Sequence, residues 1–156
     1  KLPDSQLDRF LLRLSMGYPT PAEELELLRR RQYSHGMEGT EQVVDRASLE
    51  QMRQAAGDVH VDEEIMKYII RLVGATRKHP QLLQGASPRA TLAVTAVSRA
   101  VAFLRGRDYV VPEDVQTIWV DAVAHRLLMV PGAERTTGSR KIARAALQSV
   151  DPPRVQ

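Results

Sequence analysis

Apolar residues recur at helical spacing along most of this chain. Thr20-Pro21-Ala22-Glu23 has the form of a capping box with proline at the first helical position. It precedes Leu25, Leu27 and Leu28 on an otherwise charged stretch that runs to Gln32. Ser48-Leu49-Glu50-Gln51 repeats the pattern and predicts a short helix ending near Gly57. Asp62-Glu63-Glu64 opens a third helix, with Ile65, Tyr68, Ile69, Leu72 and Val73 on one face, cations at Arg77 and Lys78, and Pro80 as its stop. The longest apolar helix follows Ser87-Pro88 and carries Leu92, Ala93, Ala96, Val97, Ala100, Val101 and Leu104 up to Gly106. Another follows Pro112, through Val115, Ile118, Trp119, Ala122 and Val123 to Leu127, with Val111 standing where a capping side chain is preferred. A last helix is expected from Arg140 to Ser149, behind a polar lead-in over Thr136 to Ser139. Residues 33 to 45 read as a loop.

The first residues differ. LPDSQLDRF (2–10) suggests a short helix, and Leu11-Leu12-Arg13-Leu14-Ser15-Met16, ended by Gly17, reads as a buried strand. One strand cannot satisfy its backbone alone. Such a strand is expected to belong to a sheet lying mostly upstream of Lys1. The expected fold class is therefore all-α, a bundle of about five to six helices, preceded by a remnant helix and strand of an α/β domain.

Composition narrows the chemistry. Of 156 residues, 43% are hydrophobic and only 4% aromatic, so the core must be built from Leu, Ile, Val and Ala. The 22 Lys and Arg against 19 Asp and Glu leave +3, too weak and too dispersed for a nucleic-acid footprint. Arg29-Arg30-Arg31 is better read as the solvated C-terminus of its helix. The absence of cysteine excludes disulfides, thiolate metal sites and Cys nucleophiles, and fits a reducing compartment. No apolar run approaches membrane-spanning length. His35, His60, His79 and His125 share no metal-ligand spacing, so no metal site is expected.

Two arginines stand out. Arg89 falls in the first turn of its helix, where the macrodipole and the unpaired N–H groups favour negative charge. A cation there is sensible when an anion from outside is shared between the guanidinium and the helix N-terminus; the alternative is a surface arginine covering apolar area. Arg9, in Leu7-Asp8-Arg9-Phe10, ends a helix just before the expected strand, and Asp8 beside it could be a weak surface partner.

The motifs LPDSQLDRF (2–10), GYPTPAEE (17–24), ATRKHP (75–80), GASPRA (85–90), GRDYVVPEDV (106–115) and AHRL (124–127), in this order, resemble the MoxR-type AAA+ ATPases and, more distantly, magnesium-chelatase ATPase subunits. SVDPP (149–153) is a looser match. The resemblance implies the end of an AAA+ core over 1–18 and a helical lid over 19–156. It implies that Arg9 matches the arginine finger, which reaches the nucleotide of a neighbouring subunit, and that Arg89 matches the sensor 2 arginine, which contacts nucleotide phosphates from the lid. Tyr18 would sit at the hinge between core and lid, packing there or lining the adenine side of the pocket.

The resemblance further implies ATP and Mg²⁺ as cofactors of the intact protein, and the AAA+ core of the same protein as the lid's partner. A homo-oligomeric ring, a hexamer by the same resemblance, would carry chaperone-like activity in the cytoplasm, alongside proteins with von Willebrand factor A domains. The G-x-x-x-x-G-K-S/T loop, the Walker B acids and sensor 1 do not occur in these 156 residues, so this segment alone is expected neither to hydrolyse ATP nor to hold it firmly. A stand-alone helical adaptor without nucleotide is the competing reading; it expects LLRLSM to be helical or disordered. A nucleic-acid module is a third, disfavoured by the lack of stacking aromatics among the basic residues.

Overall fold

In the computed structural model, residues 3–33, 41–132 and 137–154 are described, with Asp4, Ser5 and Tyr33 as backbone only. The elements in order are α1 (Asp4–Leu7), α2 (Pro21–Tyr33), α3 (Arg46–Asp58), α4 (Glu63–Arg77), β1 (Leu82–Gln84), α5 (Pro88–Leu104), α6 (Pro112–Val123), a 3₁₀ turn (Ala124–Arg126), β2 (Leu128–Met129) and α7 (Ser139–Gln148). Part of the loop expected over 33 to 45, Thr136 of the polar lead-in, and His35 lie outside the described residues.

Helix α4 shows why this sequence folds locally as it does. The Asp62 carboxylate accepts the Glu64 N–H at 2.8 Å, capping the helix where the charge pattern placed its start. Its apolar stripe, Ile65, Tyr68, Ile69, Leu72 and Val73, is buried. It shares one buried core with Ala90 and Val94 of α5, Val115, Trp119 and Ala122 of α6, and Ile142 and Ala143 of α7, and it packs mainly on α5 and α7. Each large side chain buried in this way contributes about 1.5–3 kcal/mol. The Trp119 indole N–H donates to the Ala143 carbonyl at 2.7 Å, so the largest core residue leaves no unpaired donor.

Several expectations shift. The box Thr20–Glu23 forms as expected, with Thr20 N donating to Glu23 Oε2 at 2.7 Å and Glu23 N to Thr20 Oγ1 at 3.3 Å. The second helix is capped by Asp45 and not by Ser48: the Ser48 N–H donates to Asp45 Oδ1 at 2.6 Å, so α3 begins three residues earlier. Helix α5 turns a different face inward. Ala90, Ala93, Val94, Ser98 and Ala102 are buried, while Leu92 and Leu104 are 72% and 81% exposed. A helix apolar on nearly every side gives its period no unique phase, and the small residues decide because they let neighbouring helices approach closely.

The buried strand expected over Leu11–Met16 is not formed among the described residues. The segment runs without regular structure, Leu14 and Met16 are exposed, and only Leu12 packs partly against the core. The Arg13 N–H donates to Asp121 O at 2.9 Å, tying the segment to α6. With no sheet neighbour, its other backbone groups have no ladder to enter. Conversely, two short strands escaped the pattern: β1 and β2 pair antiparallel, Leu82 with Met129 and Gln84 with Leu128. An isolated bridge, His60 N–H to Asp108 O at 2.8 Å and Val110 N–H to His60 O at 3.0 Å, ties the approach to α4 to the approach to α6.

At the start of α6, Val111 occupies the N-cap with extended backbone and no capping side chain. Val111→Thr keeps the shape and adds an acceptor for the first turn. It is expected to stabilise the protein by about 0.5–1 kcal/mol, read as a modest rise in melting temperature; an unchanged or lowered midpoint would contradict this helix start.

Candidate functional site

The GASPRA turn lies directly on the C-terminal end of α4. A Cβ at Gly85 would fall 2.6 Å from Arg77 Cα and 2.7 Å from Arg77 N, so only glycine allows this approach. The buried Thr76 hydroxyl donates to Val73 O at 2.7 Å and accepts the Ala86 N–H at 3.0 Å. Arg77 Nε donates to Ala86 O at 3.0 Å. The ATRKHP and GASPRA motifs are thus two halves of one contact, which fixes where α5 begins.

Ser87 holds the N-cap position with extended backbone, but its hydroxyl does not cap the helix. It donates instead to the Asp8 carboxylate, 3.2 Å from each oxygen. The first turn of α5 is left without a side-chain cap and without an acid, and it carries Arg89, which is exposed and has no hydrogen bond or ion pair among the described residues. Arg9, in the turn after α1, is likewise exposed and unpartnered there. Asp8 does not pair with Arg9 as a surface partner. Its carboxylate faces Arg126, whose Nη1 lies 2.9 Å from Oδ1.

Arg126 is the buried member of the site, its side chain 1% exposed. Besides the carboxylate it donates from Nη1 to Asp8 O, from Nη2 to Phe10 O at 2.6 Å, and from Nε to Ala122 O at 2.9 Å. Its neighbour His125 places Nε2 2.9 Å from the same Phe10 carbonyl, which assigns the ring proton to Nε2. The carbonyls on both sides of Arg9 are therefore held from the 3₁₀ turn. Asp8, Gln84, Gly85, Ser87, His125 and Arg126 line a cavity of about 310 Å³ between these elements.

Burial depresses the His125 pKa, and the nearby charges of Arg126 and Arg13 act the same way against the hydrogen bond to Phe10. The unfolded chain takes up a proton at the ordinary histidine value of 6.5, the folded chain only at lower pH, so acid favours unfolding. Stability is expected to decline as pH falls below 6.5. His125→Gln, which can still donate to Phe10 O, should flatten that slope in pH-dependent melting curves. An equal slope in the variant would assign the decline to other groups.

A second charged cluster serves the fold. Asp114, fully buried at the start of α6, accepts from Arg105 Nη1 at 2.8 Å, from Arg107 Nη1 and Nη2 at 2.8 and 2.6 Å, and from Val111 N at 2.9 Å. Burial works to raise its pKa, but the Arg107 hydrogen bonds and the Val111 N–H outweigh it and the net shift is downward. This explains the GRDYVVPEDV motif as a clasp joining the end of α5 to the start of α6.

Tyr18, expected to pack at a hinge, is 99% exposed among the described residues. No group of three or more His, Asp or Glu among them gathers as a metal site. Arg126 and His125 were present in the AHRL motif, yet no role could be read for them. Their partners lie 118 and 115 residues away, and the available signal was two basic residues closing an apolar helix.

Comparison with known proteins agrees with this geometry. The family model for the AAA lid domain matches residues 74–146. The Bacillus subtilis protein YeaC is 38% identical over 133 residues, covering 85% of this chain and 42% of that protein. The chaperone MoxR1 of Mycobacterium tuberculosis is 36% identical over a 164-residue alignment, covering 99% of this chain and 43% of MoxR1. A solved structure from Cytophaga hutchinsonii, provisionally described as an ATPase, superimposes with a TM-score of 0.88 at 31% identity over 99% of this chain and 50% of that one. The bundle, its GASPRA turn and the matched model define an AAA+ lid. The chain belongs to the MoxR-type AAA+ ATPases. It spans less than half the length of the two curated relatives.

Proposed function

We propose that this chain is the nucleotide-responsive lid of an ATP-hydrolysing ring protein, with the end of the AAA+ core over 1–18 and the lid over 19–156. In this reading Arg89 contacts the nucleotide phosphates from the lid and Arg9 acts as the arginine finger at a neighbouring subunit's site. The observation that carries the proposal is the state of the two guanidiniums. Both are exposed and unpartnered among the described residues, on segments that are otherwise tightly held, and one lies in a helix first turn that has no side-chain cap and no acid of its own. This is the donor set an anionic phosphate would complete.

ATP with Mg²⁺, when bound, supplies the transferable phosphoryl group. What this chain contributes is charge and placement. An arginine fork spreads five N–H donors toward phosphate oxygens and stays charged throughout. The α5 N-terminus adds its own partial positive charge. The exposed Leu11, Leu14 and Met16 and the exposed leucines of α2 (Leu25, Leu27 and Leu28) offer apolar surface to the AAA+ core of the same protein. Ring assembly, chaperone-like work, a von Willebrand factor A domain partner and a cytoplasmic location are part of this proposal by resemblance to the family, and no residue of this chain carries them. No helix among the described residues is long and apolar enough to cross a membrane. The test is ATP hydrolysis by the full-length protein and by its Arg9→Ala and Arg89→Ala variants.

A further inference from the structure

The two proposed nucleotide-facing arginines are 80 positions apart in the chain, yet one carboxylate links the segments that carry them. Asp8, immediately before Arg9, accepts from the Ser87 hydroxyl at 3.2 Å to each oxygen; Ser87 is the N-cap of α5, two residues before Arg89. Behind Asp8 stands the buried Arg126, bonded to the Asp8 carboxylate, to the Asp8 carbonyl and to the Phe10 carbonyl. Arg126 is itself fixed to α6 through Ala122 O. Arg9 is thus held on both sides by one guanidinium, and the same ion pair reaches the helix start that presents Arg89.

The Ser87 hydroxyl is the informative part. A serine at an N-cap ordinarily spends its hydroxyl on the first-turn amides. Here it turns away to Asp8, and the helix start is left without its side-chain cap. Arg126 reaches only Oδ1 of that carboxylate, and the Ser87 hydroxyl supplies a donor to Oδ2 as well.

We propose that Ser87, Asp8 and Arg126 form a positioning relay that sets Arg9 relative to Arg89, so that the two arginines act as one unit. The proposal rests on the nucleotide-facing reading of Arg9 and Arg89. None of the three relay residues needs to touch the nucleotide. A displacement of the α5 start on phosphate contact passes through Ser87 to Asp8, and from Asp8 along the backbone to Arg9. Arg126 is the fixed point against which Asp8 moves.

The test uses the full-length protein. Ser87→Ala removes only the link between α5 and Asp8, because this hydroxyl does not cap the helix. It should lower kcat for ATP hydrolysis about tenfold, the size of effect expected when a transition-state contact is misplaced, with KM for ATP and the melting temperature little changed. Ser87→Thr, which keeps a hydroxyl, should restore most of the rate. In an Arg89→Ala background, adding Ser87→Ala should change the rate less than about twofold, since the relay then connects nothing. Wild-type kcat in Ser87→Ala, failure of threonine to rescue, or a full further tenfold loss in the Arg89→Ala background would each overturn the relay. Wild-type turnover in both Arg9→Ala and Arg89→Ala would overturn the nucleotide-facing reading itself, and the relay with it. Normal loss in those two variants beside a wild-type Ser87→Ala would overturn the relay alone.

Discussion

Arg9→Ala and Arg89→Ala, each in the full-length protein, are expected to depress ATP turnover steeply while leaving the fold intact. For Arg9 the expected loss is on the order of 10³, the low end of what an arginine finger contributes. For Arg89, losing one charge-assisted contact to phosphate should cost about 10- to 100-fold. Folding should hardly respond, because neither side chain has a partner among the described residues to lose. Arg89→Ala should even raise the melting temperature slightly at low salt. It removes a cation from the positive end of α5, whose first turn carries no acid of its own. A variant that is slightly more stable and much less active is the signature of a residue kept for a ligand. Parallel losses of stability and turnover would instead make Arg89 a packing residue, and unchanged turnover would remove either arginine from the site.

The second large effect is expected at Asp114. Asp114→Asn keeps the shape but puts an amide N–H against a guanidinium and leaves Arg107 and Arg105 without their shared carboxylate. Breaking a buried pair in this way costs about 3 kcal/mol, at the low side of the usual range because both arginines retain solvent contact. For a chain of this size that lowers the melting temperature by roughly 6–12 °C. The pH dependence gives a further check. The carboxyl pKa is lowered in the folded state, so its contribution is present above the ordinary value of 3.8 and is lost as pH falls below it. The gap between wild type and variant should therefore close in acid. A variant as stable as wild type at neutral pH would show that the clasp between α5 and α6 adds nothing to the fold.

What the sequence revealed depended on how local the physics was. Helix α4 was legible because its cap, stripe and stop lie within twenty residues and agree with one another. Arg89 was legible because a cation in a first turn conflicts with the helix dipole, and such a conflict is visible from spacing alone. The inward face of α5 was not, since Leu92 and Ala93 satisfy a helical pattern equally well and only the neighbouring helices choose between them. Strands β1 and β2 have three and two residues, too few for alternation to register. The stretch Leu11–Met16 has a strand's composition, but a ladder needs a second strand, and no single segment carries that information. Least legible was the Asp8–Arg126–Ser87 network. Each member has an ordinary local explanation, as a helix-end acid, a basic helix end and an N-cap, and only the fold brings them together.

The most direct measurement is a structure of the full-length protein with a non-hydrolysable ATP analogue and Mg²⁺. The account predicts the Arg89 guanidinium within about 3 Å of a phosphate oxygen, and Arg9 approaching a phosphate across a subunit interface. Both guanidiniums facing solvent in a nucleotide-filled ring would contradict it.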